Sequence, residues 1–229
     1  MPRPVWNDDW PGDLARIQQN AAALIRSIAH KAHDWSVVPG AGEVLDWHIQ
    51  LYQGCRVPVA GYVGHFRGDP SVAELVGYEV GVGRLQSDGL PEKVGVYSTD
   101  LAVQIPALIA QIQAGIRHLD SVLEPGQRPV TSEAVEAVVL LAARVHGEWI
   151  RLHPFANGNG RTARVWANFI ALRYSFPAFV SVKPRPAEVA YGRAGQASMG
   201  RPPHFIGDNG PATALFARML AESLASRPT

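Results

Sequence analysis

Between His153 and Arg164 the chain reads His153-Pro154-Phe155-Ala156-Asn157-Gly158-Asn159-Gly160-Arg161-Thr162-Ala163-Arg164. Gly158, Asn159 and Gly160 can take backbone angles closed to bulkier residues and turn successive N–H groups inward just ahead of a helix N-terminus, which makes a nest for an anion. Arg161 and Arg164 fall three apart on the first turn of that helix, so two guanidinium forks share one face and fit phosphate oxygens. Two cations at the positive end of a helix dipole are unfavourable unless an anion compensates them. His153, at the other end of the loop, has an ordinary pKa of about 6.5, suited to taking a proton from an attacking hydroxyl near neutral pH. A base beside a phosphate cradle points to phosphoryl or nucleotidyl transfer. Pro154 fixes the chain leaving the histidine, and Phe155 is the apolar anchor of a loop that must be held still. Singly, the histidine would be a helix cap, Gly-Asn-Gly a turn and the arginines a solvated face. Their coincidence in one short stretch between two apolar helices is what favours a site.

The elements that must position this loop show in the periodicity. Thr131 or Ser132 caps a strong helix with Glu133 and Glu136 near its positive end and Val135, Val138, Val139, Ala142, Val145, His146 and Trp149 beyond. A second buried helix, 161–174, presents Val165, Trp166, Phe169, Ile170 and Leu172. Upstream, Leu14, Ile17, Ala21, Leu24, Ile25 and Ile28 recur at helical steps over 13–33. Helix 43–52 follows, with Gly54 placed to end it. From 57 to 97 the character changes to glycines and β-branched residues, and the runs 76–80 and 94–97 around Ser87-Asp88-Gly89 predict a short β-hairpin. Helix 101–123 requires Pro106 to lie in its first turn. The tail predicts helices over 186–199 and 211–226.

Nearly half of the 229 residues are apolar and the formal net charge is +1. That fits a globular protein with its own core and disfavours both a disordered tail and a nucleic-acid binder with a basic face. The single cysteine, Cys55, and the absence of metal-like Cys/His spacing argue against disulfides and zinc. No apolar run suits a leader peptide or a membrane span, so the expectation is a cytoplasmic protein. Trp6, Trp10, Trp35 and Trp47 read as packing anchors rather than a ligand platform, and His30 and His33 as a helix cap rather than metal ligands. Lys183-Pro184-Arg185 reads as a loop that could edge a nucleotide site, and Tyr191 lies on a helix where it could contact a base.

On these residues the sequence resembles the Fic family, whose motif is His-x-Phe-x-(Asp or Glu)-Gly-Asn-Gly-Arg-x-x-Arg. His153 to Arg164 matches at every fixed position except Asn157, and the segment from Ala60-Gly61 to Arg67 resembles the family's Gly-x-x-Arg approach to its flap. The resemblance implies a mainly α fold with a short β-hairpin flap between Tyr78 and Tyr97, residues 1–42 forming an N-terminal helical extension and 43–229 the Fic domain. It implies a protein adenylyltransferase that moves AMP from ATP, with magnesium or manganese, to a Ser, Thr or Tyr hydroxyl of a target protein docked on the flap. In that scheme His153 is the general base, Gly158, Asn159 and Gly160 hold the polyphosphate, with Asn159 orienting the α-phosphate, and Arg161 and Arg164 bind the departing phosphates. Glycine at 160, where a phosphorylating relative has lysine, favours attack at the α-phosphate. Asn157 stands where the family usually has an acidic magnesium ligand, and its neutral amide should lower metal affinity. Alternatives are a transferase using another phosphate-containing donor, and a non-catalytic nucleotide-binding or interaction module. The family's inhibitory Ser/Thr-x-x-x-Glu-Gly/Asn segment has no match, since Ser132-Glu133-Ala134-Val135-Glu136-Ala137 ends wrongly and falls in a core helix. Either a separate small antitoxin supplies the glutamate to Arg164, or the activity is unchecked, or Asn157 already keeps it low. Neither a membrane nor a nucleic acid is expected as partner.

Overall fold

The computed structural model describes residues 4–6, 9–85 and 91–226. It is mainly helical, and two helices dominate its centre. Helix α4, Ser132–Leu152, is capped at Thr131, whose hydroxyl accepts from the Ala134 N–H at 3.3 Å. Helix α5, Asn159–Arg173, is buried over almost its whole length. The two pack against each other. This pairing fits two apolar segments joined by a short connection, which keeps consecutive helices in contact.

Around this pair stand α1 (Leu14–Ala32), α2 (Ala41–Tyr52), α3 (Leu101–Val122), α6 (Val189–Met199) and α7 (Gly210–Ala225). Helix α1 lies on α2 and α5, α3 lies on α4, and α6 and α7 cover the other flank of α4. Helix α2 opens with a capping box, the Glu43 carboxylate accepting from the Gly40 N–H at 2.9 Å. His33 is the C-cap residue of α1. Trp6 and Trp47 are buried, Trp35 is half-buried and donates to the Arg173 carbonyl, and Trp10 is exposed.

Pro106 lies at the sixth residue of α3, beyond the first turn the sequence reading required. The helix runs through because Pro106 and Ala102, whose carbonyl loses its partner, both face outward, so water can satisfy that carbonyl.

The hairpin exists but is shifted from its expected runs. Strand β1 is Val80–Leu85 and β2 is Pro91–Val94, antiparallel, with Val80 opposite Val94 and a register shift between Val82 and Leu85. The segments 76–79 and 95–97 form the root of the hairpin instead. Gly77 and Gly95 turn the chain there with positive φ, and the carbonyls of Tyr78 and Val96 accept from Arg67 rather than joining the ladder. The expected turn at Ser87-Asp88-Gly89 lies outside the described residues. No helix among the described residues is long and apolar enough to cross a membrane.

Candidate active site

The loop between α4 and α5 opens onto a cavity of about 730 Å³ that also meets the start of β1, the end of β2, α6 and the segment after α5. Helix α4 ends at His153, which takes left-handed angles, φ 51 and ψ 53. Gly158, φ 85, starts α5 in the same region of backbone space, and a Cβ there would come within about 3 Å of the Tyr52 and His48 rings. Phe155 is fully buried and stacks flat on His48, centroids 3.9 Å apart, the anchoring role its apolarity suggested.

Asn159 closes the loop on itself. Its Oδ1 accepts from the Phe155 N–H and its Nδ2 donates to the Phe155 carbonyl, both at 2.8 Å. The side chain assigned to an α-phosphate by resemblance is therefore engaged internally, and the loop offers an anion the first N–H groups of α5. His48 locks the same loop from outside. Its Nδ1 accepts from the Gly64 N–H at 3.0 Å, so its Nε2 carries the proton and donates to the Asn157 carbonyl at 3.0 Å. Burial drives the His48 pKa down to about 3, which keeps the ring neutral.

His153 lines the cavity. Its Nδ1 lies 3.2 Å from the Ile150 carbonyl, which can only accept, so Nδ1 bears the proton and Nε2 the free lone pair. Desolvation, and secondarily the Arg67 charge, lower its pKa to about 4. The imidazole is thus a neutral base at physiological pH, and a bound anion would move its pKa back up. Arg67, fully buried, fixes this base from behind. It donates to the carbonyls of His153 (2.7 Å), Leu152 (3.2 Å), Val96 (3.0 Å) and Tyr78 (3.2 Å) and to the Glu79 carboxylate (2.9 Å).

Both motif arginines line the cavity and both are held. Arg164 donates through Nε and Nη2 to the Val182 carbonyl, 3.2 and 2.8 Å, and through Nη1 to the Tyr191 hydroxyl at 3.0 Å. Tyr191 in turn meets His146 Nε2 at 2.8 Å. Arg161 pairs with the Asp9 carboxylate, Nη2 lying 2.9 Å from Oδ1, and contacts the Tyr52 hydroxyl. Lys183 lies 3.4 Å from Asp9. Lys183 and Arg185 both line the cavity, as their loop suggested, and Tyr191 does so with its hydroxyl already engaged. Sequence reasoning missed Asp9, His48, Tyr52 and Glu79. Only the i, i+4 spacing of His48 and Tyr52 on α2 carried a signal, and it says no more than that they share a face.

The chain is similar to known proteins. The family model described as Fic/DOC matches residues 41–171, more than half of the chain. The chain belongs to the Fic/DOC family. A Fido domain-containing protein of Dictyostelium discoideum is 32% identical over 96 residues, a match covering 42% of this chain and 62% of that relative, less than two thirds of its length. In fold, the chain is similar to a Fic domain-containing signaling protein from Bacteroides thetaiotaomicron, at a TM-score of 0.61 and 17% identity, covering 90% of this chain and 68% of the other. Fic proteins are in general transferases that commonly use ATP and a divalent metal.

The side chains here do not fit that metal. Asn157 holds the Fic position for an acidic ligand, but its Oδ1 accepts from the Gly158 N–H at 2.6 Å and lies 3.3 Å from Arg161 Nη2. A hard divalent cation needs free, preferably anionic oxygens. Among the described residues no group of three or more His, Cys, Asp or Glu side chains could hold one.

Proposed function

We propose that this Fic protein is a protein adenylyltransferase that moves AMP from ATP to a Ser, Thr or Tyr hydroxyl of a target protein. The observation that carries this reading is the arrangement in one cavity of a neutral His153, its Nε2 lone pair free, with the N-terminus of α5 and the guanidinium groups of Arg161 and Arg164. His153 Nε2 takes the proton of the incoming hydroxyl while the α5 N–H groups and the two arginines receive the charge that builds on the phosphates. Gly160 leaves the cradle unfilled beside Arg164, whose Nη1 lies 3.2 Å from the place a Cβ would take.

The target reaches the cavity along the hairpin, where β1 and β2 form a two-stranded sheet that no further strand joins among the described residues. A target segment added as a strand gains main-chain hydrogen bonds with little demand on its sequence. A separate antitoxin would act by placing a carboxylate on Arg164, which pairs with none among the described residues.

The test is incubation with candidate target proteins and ATP labelled at either the α- or the γ-phosphate. Label from the α-phosphate alone, lost in His153→Ala, is the expected result. Transfer from the γ-phosphate, or transfer that survives His153→Ala, would overturn the reading.

A further inference from the structure

The orientation of the Asn157 amide is fixed by its neighbours. The Gly158 N–H, 2.6 Å away, can only donate, so the atom it meets is the oxygen, and Arg161 Nη2 gives a second donor on the same side. The amide NH2 is left on the other side, buried and without a hydrogen-bond partner among the described residues. A buried donor in that state is costly until an acceptor oxygen reaches it. The position where Fic proteins usually carry an acidic acceptor thus holds a buried donor, which a bound oxygen meets only when the loop yields enough to expose it.

The charge around it has the same sign. Arg161, Arg164, Lys183 and Arg185 line the cavity, and no Asp or Glu does so among the described residues. The acid close by, Asp9, is bound to Arg161 and Lys183 and cannot stand in for the missing ligand. Even with Asp9 set against Arg161 and Lys183, the basic side chains are in surplus, and a net positive wall repels a divalent cation and attracts a polyanion.

We propose that this cavity takes its polyphosphate donor free of divalent metal, the Asn157 NH2 donating to a phosphoryl oxygen and the four basic side chains supplying the charge compensation. The proposal rests on reading the cavity as the site of a phosphate-bearing donor, and its test reads binding rather than transfer. Calorimetric titration of the full chain with ATP is run in EDTA and in magnesium chloride at matched ionic strength, for wild type, Asn157→Asp and Asn157→Ala. Asn157→Asp keeps the oxygen used by Gly158 and Arg161 and removes the NH2, so the loop retains its internal bonds.

Wild type is expected to bind ATP in EDTA at least as tightly as in magnesium. Asn157→Ala is expected to bind about tenfold more weakly in EDTA, as loss of a hydrogen bond to a charged group implies. Asn157→Asp should be weaker still in EDTA and recover when magnesium is added. A tenfold or greater loss of wild-type binding in EDTA, or an Asn157→Asp protein that binds like wild type there, would overturn the proposal. If the expected pattern holds while no α-label is transferred, adenylyl transfer falls and metal-free binding stands. If transfer occurs but binding vanishes in EDTA, the reverse holds.

Discussion

The motif loop and the hairpin face the same cavity but are secured in different ways. The loop draws partners from the whole molecule: Phe155 ties to Asn159 within it, His48 of α2 holds the Asn157 carbonyl, Asp9 and Tyr52 hold Arg161, and Val182 and Tyr191 hold Arg164. At the hairpin root one buried side chain gathers several groups. Arg67 gathers the carbonyls of Tyr78 and Val96, and Glu79 links Arg67 to Lys93 and to the Ser98 N–H. Groups that perform chemistry must keep their geometry to fractions of an ångström, and redundancy provides that. At the hairpin root one buried guanidinium ties the element to the loop, alongside the Val96 N–H donated to the Arg151 carbonyl and the Trp6 N–H donated to the Tyr78 hydroxyl.

The largest expected effect follows from that contrast. Arg67→Ala removes five hydrogen bonds at once, taking the guanidinium from four carbonyls and from the Glu79 carboxylate, which keeps Lys93 and Ser98. Breaking a buried charged network in this way costs about 3–5 kcal/mol. Denaturant unfolding should show a loss of that size, and hydrogen exchange should rise first in segments 76–79 and 94–97. A root that keeps its protection would show that the hairpin is as redundantly held as the loop.

Gly95→Val tests the contact between the two regions. Gly95 has φ +76, and a Cβ on it would lie 2.3 Å from the His153 Cβ and 2.9 Å from the Leu152 carbonyl oxygen. Something must move, and His153 is the group in the way. Transfer should drop by at least tenfold, from displacement of the base, with a stability loss of about 1–3 kcal/mol from backbone strain and overpacking. Loss of stability alone, with full transfer, would show that the hairpin yields and the loop does not.

Much of this was legible in the sequence, and the boundary has a physical basis. Helical periodicity gave α1, α4 and α5 almost to the residue, because each buries one or more apolar faces and the spacing records it. The resemblance through His153 to Arg164 carried the family and the loop, since glycines and arginines at fixed offsets leave a local trace. Pro106 inside α3 was not legible, because nothing local tells which carbonyl faces water. The hairpin register was missed for a related reason: Tyr78 and Val96 look like strand residues, but their carbonyls are claimed by Arg67, distant in sequence. Asp9 on Arg161 and His48 on the loop are long-range pairs with no sequence pattern to mark them.

Acid should separate the two regions by titration. The loop side holds His48 and, lining the cavity, His146 and His153, whereas the stretch from Tyr78 to Tyr97 contains no histidine. Burial is the main cause that lowers the pKa of His48 and His146 to about 3, and that of His153 to about 4. Against an unfolded value of about 6.5, the unfolded chain binds the extra protons, so stability is fully present above pH ~6.5 and falls as pH drops toward the folded values. Each histidine that stays neutral in the fold steepens the dependence by about 1.4 kcal/mol per pH unit. His48 and His146, at most 2% exposed, should carry most of it, and His153, more open to the cavity, less. The unfolding free energy measured from pH 7 to pH 4.5 by denaturant titration should decline with a slope near two protons. In His48→Gln, whose amide can still accept from Gly64 and donate to Asn157, that slope should shrink by about one proton. Hydrogen exchange at pH 5 should rise around the loop before it rises at the hairpin root; the opposite order would mean that Arg67, not the buried histidines, sets the weaker point of the site.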